Sequence, residues 1–139
     1  METAENSDNL ISLYRVVDVN INRLKEGVRV CEDLNRFVFN NFEIAKDLKT
    51  VRHLATLKNY SKFLKLRDIQ NDILKKTLKS ENSRDSIFDI FTANIKRSQE
   101  SARVLEEIFK LIEKDESEKF KSIRYSLYNI ELKFTNFLI

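Results

Sequence analysis

The sequence predicts an all-α fold, a four-helix bundle built from two duplicated helical hairpins that a long connector joins. Three observations predict it. The chain has no proline and a single glycine, Gly27, among 139 residues, and such a composition favours long helices over sheets with tight turns. Apolar residues recur at alternating intervals of three and four, the spacing of a helix that packs on another helix. A charged segment of the chain also occurs twice.

The duplicated segment reads NINRLKEGVRVCED at 20–33 and NIKRSQESARVLEE at 94–107. Seven of the fourteen aligned positions are identical, whereas chance gives about one. The identities include an asparagine, two arginines and two glutamates as well as apolar residues. A helix pair needs only a repeated apolar pattern, so the repeated polar residues require an explanation of their own.

A second match extends the repeat beyond this segment. The sequence LKTVRH at 48–53 resembles FKSIRY at 120–125. We therefore predict a single helical domain with two related halves, about 13–58 and 87–131. The connector at 59–83 has no counterpart in the first half, and a long charged connector is a frequent place for function.

The first half is predicted to contain a long helix and a shorter antiparallel one. Asp8 can cap the long helix, which is expected to run to about Asn40, and the turn signal NNF follows at 40–42. The shorter helix is expected at about 43–58. The predicted apolar seam of the long helix is Leu10, Leu13, Val17, Asn20, Leu24, Gly27, Cys31, Leu34 and Val38.

The second half is predicted to repeat this arrangement. Ser83 or Asp85 can cap a third helix at about 84–113, and Asp115 or Ser117 can cap a fourth. The seam expected for the fourth helix is Phe120, Ile123, Leu127, Ile130, Phe134 and Phe137. Two such hairpins form a four-helix bundle with approximate two-fold symmetry.

Composition and charge argue against several classes of protein. A net charge of +3 lacks the strongly basic footprint of a nucleic-acid-binding domain. No apolar run is long enough to span a membrane, and the N-terminal METAENSDN has no signal-peptide pattern. A single cysteine, Cys31, cannot form an intrachain disulfide and fits a core position in a cytoplasmic protein. We therefore expect a cytoplasmic protein that binds neither nucleic acid nor a membrane.

Two asparagines, Asn20 and Asn94, fall inside the apolar seams at equivalent repeat positions. A buried amide needs hydrogen-bond partners. One interpretation is a register device that fixes how the helices pair. The other is a polar group that lines a pocket between helices. Gly27, Ser98 and Ser101 follow within one or two turns, and small residues open space between helices.

Each copy of the repeat also carries a charged helical face. The charges can form exposed ion pairs along one helix, each contributing only about 0.2–0.5 kcal/mol. Arginine kept as arginine instead favours bidentate contacts with carboxylate or phosphate groups. The two faces consist of Arg23, Glu26, Arg29 and Asp33 in the first copy and Arg97, Glu100, Arg103 and Glu107 in the second.

The connector carries Arg67, Asp68, Asp72 and Arg84. The two aspartates are candidates for binding Mg²⁺, which prefers one or two carboxylates together with substrate phosphates. The alternative is a solvated loop with turn-forming aspartates. The chain has no E-x-x-H pair, no phosphate-binding glycine-rich loop and no cysteine–histidine nucleophile pattern, so no standard catalytic motif applies.

Four motifs in order resemble those of one bacterial family. They are D-x-N-x-x-R-x-x-E-G-x-R-V-x-E-D-x-x-R-F at 18–37, the R-D pair at 67–68 with Asp72, T-A-N-x-K-R-x-Q-E-x-x-R-V-L-E-E at 92–107, and F-K-x-x-R-Y-x-L-Y at 120–128. The chain thereby resembles, over about 14–130, the hydroxymethylpyrimidine-phosphate kinase domains of thiamin biosynthesis. These domains occur alone or in front of a thiamine-phosphate synthase barrel.

The resemblance implies a phosphotransferase that uses ATP and Mg²⁺ to convert hydroxymethylpyrimidine phosphate to its diphosphate. It does not imply synthase chemistry, because a synthase barrel needs about 200 or more residues of alternating strand and helix. The family usually reads D-V-G after the R-D pair, whereas this chain has Asp72, Ile73 and Leu74. The alternative function is a non-catalytic helical module that dimerises or docks onto a thiamine-phosphate synthase. The C-terminal FTNFLI favours such association.

Residue type and the resemblance together give the candidate site residues. Asn20 and Asn94 are expected to bind the pyrimidine edge, and Glu26 and Glu100 to supply carboxylates. Asp68 and Asp72 are the candidates for the metal, with Glu100 as the alternative ligand. The candidates for phosphate binding are Arg23, Arg29, Arg67, Lys96, Arg97 and Arg103.

Overall fold

The computed structural model describes residues 4–76 and 83–138, and within these ranges every regular element is helical. The elements are α1 (Ala4–Asp33), a π-helical turn (Leu34–Val38), α2 (Phe42–Leu54), α3 (Tyr60–Leu64), α4 (Ile87–Ile112) and α5 (Lys114–Leu138). Helix α1 packs on α2 and α4, and α5 packs on α4 and α2. The prediction of an all-α fold with four long packed helices is confirmed.

Several predicted helix boundaries are wrong. Helix α1 begins at Ala4, so Asp8 lies within it and is not its cap. Its regular α geometry ends at Asp33, because the last predicted turns form the π-helical turn instead. Helix α2 ends at Leu54, short of the predicted 58. Residues 77–82 of the connector lie outside the described ranges.

An asparagine side chain caps the start of α2, and a serine side chain caps the start of α4. Asn41 Oδ1 accepts a hydrogen bond from the Ile44 backbone N–H at 3.1 Å. Ser86 Oγ accepts one from the Asp89 N–H at 3.1 Å, so the predicted caps Ser83 and Asp85 are not used. Each bond satisfies an N–H group that a helix start otherwise leaves without a partner.

The core lies between the four long helices and contains much of the predicted seams, together with Ile21 and Val28, which the seam predicted for α1 does not include. Helix α1 buries Val17, Ile21, Leu24, Val28 and Cys31, and α5 buries Phe120, Ile123, Leu127, Ile130 and Phe134. The predicted seam positions Val38 and Phe137 are exposed, because each lies at the end of its helix. Burying each large apolar side chain contributes about 1.5–3 kcal/mol, so these seams supply the main stabilisation of the bundle.

One buried ion pair holds each hairpin together, and the two pairs occupy equivalent repeat positions. Arg52 on α2 donates to Glu32 on α1 at 2.7 and 3.2 Å. Arg124 on α5 donates to Glu106 on α4 at 3.1 and 2.9 Å. Both glutamates are buried. One of the two repeated glutamates in each copy therefore has a structural role.

Candidate functional site

Helices α1 and α4 cross closely and run antiparallel. Ser98 Oγ on α4 donates a hydrogen bond to the Leu24 carbonyl oxygen on α1 at 3.2 Å. Further along α1, a Cβ atom at Gly27 would lie 2.8 Å from the Asn94 carbonyl oxygen and would overlap Ser98 Oγ. The backbones therefore approach too closely at this point for any residue larger than glycine.

A groove of about 760 Å³ lies along this helix crossing. We call it the repeat groove, because its lining consists of five pairs of residues that are equivalent in the two copies of the repeat. The pairs are Asn20 and Asn94, Arg23 and Arg97, Glu26 and Glu100, Gly27 and Ser101, and Val30 and Val104. The two halves of the sequence thus form two walls of one groove with approximate two-fold symmetry.

The two asparagines of the groove bond in the same way. Asn20 Nδ2 donates to the Val16 carbonyl oxygen at 2.9 Å, and Asn94 Nδ2 donates to the Ile90 carbonyl oxygen at 2.8 Å. Each bond stays within its own helix, so neither amide links α1 to α4 as a register device would. Among the described residues these are the amides' only side-chain hydrogen bonds, which leaves both Oδ1 atoms available to a ligand.

Four charged side chains in the groove have no ion-pair partner among the described residues. Arg23, Glu26, Arg97 and Glu100 form no ion pair within 4.0 Å in that part of the chain. The predicted exposed pairs along one helix are therefore not formed at these positions. Two guanidinium groups and two carboxylates instead face one open space, where a polar ligand can bind all four.

The structure does not bring three of the candidate phosphate-binding residues into this groove. Their side chains are more than half exposed, do not line the groove, and each lies within ion-pair distance of a carboxylate. The pairs are Arg29 with Asp33 at 3.8 Å, Lys96 with Glu131 at 3.0 Å, and Arg103 with Glu106 at 2.9 Å.

Arg67 attaches the connector to α1. Its guanidinium donates two hydrogen bonds to the buried Asp18 carboxylate, both at 2.7 Å, and one to Tyr60 Oη at 3.0 Å. The hydrogen bonds to Asp18 and then to Tyr60 raise the pKa of Arg67, so it stays charged. Arg67 thus anchors the connector, and its role in phosphate binding stays a prediction.

A second cleft, of about 560 Å³, lies between α1 and the connector segment that Arg67 anchors. We call it the connector cleft. The candidates Arg67, Asp68 and Asp72 line it, and it shares Asn20 and Arg23 with the repeat groove. The remaining lining residues are Ser12, Arg15, Val16, Asp18, Val19, Ile69, Asn71 and Ile73.

The carboxylates of the connector cleft are held by short-range hydrogen bonds. Asp68 accepts bonds from the Asn71 side chain at 2.6 Å and the Asn71 backbone N–H at 3.1 Å. These bonds lower the pKa of Asp68, which keeps it ionised at neutral pH. Asp72 Oδ1 accepts from the Leu74 N–H at 3.0 Å.

Asp68 and Asp72, the predicted magnesium ligands, both line the connector cleft. Mg²⁺ usually takes one or two protein carboxylates and completes its shell with water and phosphate oxygens. In the described residues no group of three or more histidine, cysteine, aspartate or glutamate side chains is placed to hold a metal. Two carboxylates are enough for a magnesium ion that also binds phosphate oxygens, so metal binding by Asp68 and Asp72 stays a prediction.

A comparison with family models decides the family. The model of the ThiD2 family matches residues 15–133. The chain belongs to the ThiD2 family. The match includes both copies of the repeat, the connector and every residue that lines the repeat groove.

Curated relatives of this ThiD2-family chain are thiamine-phosphate synthases. The protein of Nostoc punctiforme is 33% identical over 120 residues, which cover 86% of this chain and 34% of the relative. The protein of Synechocystis is 32% identical over 121 residues, covering 86% and 35%. The Thermosynechococcus vestitus protein is 34% identical over 124 residues, covering 88% and 35%. The chain thus spans about a third of the length of these relatives. No solved structure matches it.

The replacement of the family glycine by Leu74 is accommodated without backbone strain. Among the described residues other than glycine, a positive φ occurs only at Asn40, so Leu74 adopts an ordinary conformation. Its side chain is 75% exposed and does not line the connector cleft. The leucine therefore does not fill the space that a ligand in this cleft would occupy.

Two residues of the connector cleft, Asp18 and Arg15, are not among the site residues that the sequence predicts. Asp18 is the first residue of the motif at 18–37, but it anchors the connector only through its ion pair with Arg67, which is 49 residues away. One sequence feature does point to Asp18. It follows the seam residue Val17, and a carboxylate buried there needs a charged partner. No sequence feature points to Arg15. It lines the cleft because the connector folds against its part of α1.

Proposed function

We propose that this domain phosphorylates hydroxymethylpyrimidine phosphate to the diphosphate, with ATP as donor and Mg²⁺ as cofactor, in thiamin biosynthesis. The observation that carries the proposal is the repeat groove, where two arginines and two glutamates face a common space without ion-pair partners among the described residues. Membership of the ThiD2 family and the likeness to thiamine-phosphate synthases support the thiamin pathway.

The groove has suitable chemistry for an aminopyrimidine phosphate. Arg23 and Arg97 can donate paired hydrogen bonds to phosphate oxygens. The Oδ1 atoms of Asn20 and Asn94 can accept from the pyrimidine amino group. The carboxylates of Glu26 and Glu100 are further acceptors. Val30 and Val104 offer apolar contact to the ring faces.

The reaction needs positioning more than covalent catalysis by the protein. An oxygen of the substrate's phosphate forms a bond to the γ-phosphorus of ATP, the bond from that phosphorus to the β–γ bridging oxygen breaks, and ADP leaves. Arginines of the groove hold the acceptor phosphate and offset charge on the transferred group. Asp68 and Asp72 would hold Mg²⁺, which would neutralise charge on the phosphates.

A direct assay tests this proposal. Purified protein is incubated with ATP, Mg²⁺ and hydroxymethylpyrimidine phosphate, and the diphosphate is measured, with the unphosphorylated alcohol as the control substrate. We expect diphosphate from the monophosphate alone. Arg23→Gln and Arg97→Gln should each lower the rate at least about tenfold, while Arg36→Gln, an exposed arginine outside both clefts, should not. Folded wild-type protein that makes no diphosphate would overturn the proposal.

A second candidate function is association, either as a homodimer or with a thiamine-phosphate synthase. It is favoured by exposed aromatic residues at the end of the bundle where Phe39 contacts Phe137. Phe37 in the π-helical turn and Phe42 at the start of α2 are 67% and 78% exposed, and exposed aromatic patches are typical of interfaces. Sedimentation of wild type and Phe42→Ser tests it: association that the substitution weakens is expected, and a monomer that binds no synthase would contradict it.

A further inference from the structure

The two clefts of this domain meet at Asn20 and Arg23. Both residues line the repeat groove and also line the connector cleft. Their repeat equivalents, Asn94 and Arg97, line the repeat groove but not the connector cleft. The connector therefore breaks the approximate symmetry of the site, because it builds a second cleft beside only one of the two arginines.

The sequence of the second copy explains why the connector cleft forms on one side only. Asp18, which anchors Arg67, is replaced by Thr92 at the equivalent position of α4. Arg15, which lines the cleft, is replaced by Asp89. The second copy thus lacks both the carboxylate that holds the connector and the positive charge that faces it.

The connector cleft combines the three kinds of group that a nucleoside triphosphate requires. Arg15 offers a guanidinium to phosphate oxygens, and Asp68 and Asp72 offer carboxylates to a phosphate-bound magnesium ion. Ile69 and Ile73 are 71% and 94% exposed while they line the cleft. A flat apolar group, such as a purine base, that covers these side chains would remove apolar surface from water, which favours binding.

We infer that the connector cleft binds the donor nucleotide and that Arg23 contacts both the donor and the acceptor phosphates. The inference rests on the proposed function and deepens it, since it divides one site into a donor and an acceptor half. The acceptor lies in the repeat groove against Arg97. The γ-phosphate of the donor reaches the acceptor phosphate at the shared wall, next to Asn20 and Arg23.

This division assigns different roles to two arginines that occupy equivalent repeat positions. Loss of Arg97 should weaken binding of the acceptor and leave nucleotide binding unchanged. Loss of Arg23 should weaken binding of both. If the two halves of the groove acted alike, loss of Arg23 and loss of Arg97 would have the same effect on acceptor binding and on nucleotide binding.

The test measures binding of a non-hydrolysable ATP analogue with Mg²⁺ by titration calorimetry, which does not depend on turnover. The variants are Arg15→Gln and Ile73→Ser in the cleft, Arg23→Gln and Arg97→Gln in the repeat groove, and Leu74→Ser as the matched control. Leu74 adjoins Ile73 and is similarly exposed, but it does not line the cleft. We expect Kd to rise about tenfold for Arg15→Gln and about fivefold for Ile73→Ser, with no change for Leu74→Ser.

The outcomes separate this inference from the proposed function. Analogue binding that depends on Arg15 and Ile73 supports the inference even if wild-type protein makes no diphosphate, which would overturn only the kinase. Active protein whose analogue binding depends on Arg97, but not on Arg15 or Ile73, would overturn the inference and leave the kinase intact. Failure of wild-type protein to bind the analogue would also overturn the inference.

Discussion

The carboxylate of Glu32 accepts two hydrogen bonds from the Arg52 guanidinium, at 2.7 and 3.2 Å, and thereby joins α1 to α2. Glu106 and Arg124 make the equivalent connection between α4 and α5. The repeat therefore preserves two groups of polar residues for different reasons. One group fixes each hairpin internally, and the other lines the repeat groove between the hairpins.

Removing Arg52 should destabilise the bundle strongly. Arg52→Ala leaves the buried carboxylate of Glu32 without its charged partner, and breaking a buried pair in this way costs about 3–5 kcal/mol. Urea unfolding measures the free energy of unfolding. Arg29→Ala is the matched control, because its pair with Asp33 is exposed and should contribute less than about 1 kcal/mol. Equal losses for the two variants would contradict the structural role of Glu32 and Arg52.

The same ion pair predicts how stability depends on pH. Burial raises the pKa of Glu32, but the hydrogen bond and charge of Arg52 outweigh it, so the net pKa is lowered. A lowered pKa in the folded state stabilises the protein above the unfolded value of about 4.3, and this contribution is lost as pH falls through the folded value. Glu32→Gln should therefore be less stable than wild type at neutral pH.

The stability difference between wild type and Glu32→Gln should shrink as the solution is acidified below about pH 4. Urea unfolding of both proteins at a series of pH values measures it. A difference that stays constant down to about pH 3 would show that the Glu32 charge does not contribute to stability.

The fold and about half of the candidate site could be predicted from the sequence, because both depend on patterns within one helix. Equivalent positions such as Arg23 and Arg97 share a periodic pattern, and two antiparallel copies place them in one groove. Arg29 and Arg103 follow the same pattern, yet they lie outside that groove and pair with nearby carboxylates. Whether a repeated arginine forms an ion pair within its own helix depends on side-chain packing, which the periodic pattern does not specify.

The connector cleft could be predicted only in part. Asp68 and Asp72 stand out as carboxylates on an unduplicated segment. The placement of that segment depends on the bond between Arg67 and Asp18, a contact across 49 residues that no local pattern indicates. The same limit applies to the π-helical turn at 34–38, where the seam pattern predicts a continuous α-helix.

Gly27→Ala should separate α1 from α4. The added Cβ would overlap Ser98 Oγ and would lie 2.8 Å from the Asn94 carbonyl oxygen, which is backbone and cannot rotate away. Overpacking of this kind costs about 1–3 kcal/mol, measured by urea unfolding. Ser101→Ala, at the equivalent repeat position, should cost no more than about 1.5 kcal/mol, because it removes a hydrogen bond without adding volume. A Gly27→Ala variant as stable as wild type would argue against the close crossing.

Cys31 should be unreactive in the folded protein. Its side chain is buried between the helices, and burial raises the pKa of the thiol, so the reactive thiolate is scarce. A chromogenic thiol reagent should label Cys31 rapidly in urea and only slowly, through unfolding, in buffer. Fast labelling of the native protein would show that this part of the α1 seam is open to solvent.

The central claim is that the two copies of the repeat form one binding site for a pyrimidine phosphate. Titration calorimetry with hydroxymethylpyrimidine phosphate tests it most directly, using wild type and the Arg23→Gln/Arg97→Gln double variant. We predict one molecule bound per chain, and an affinity at least about a hundredfold lower in the double variant at an unchanged unfolding temperature. A folded double variant that binds the phosphate as tightly as wild type would contradict the claim.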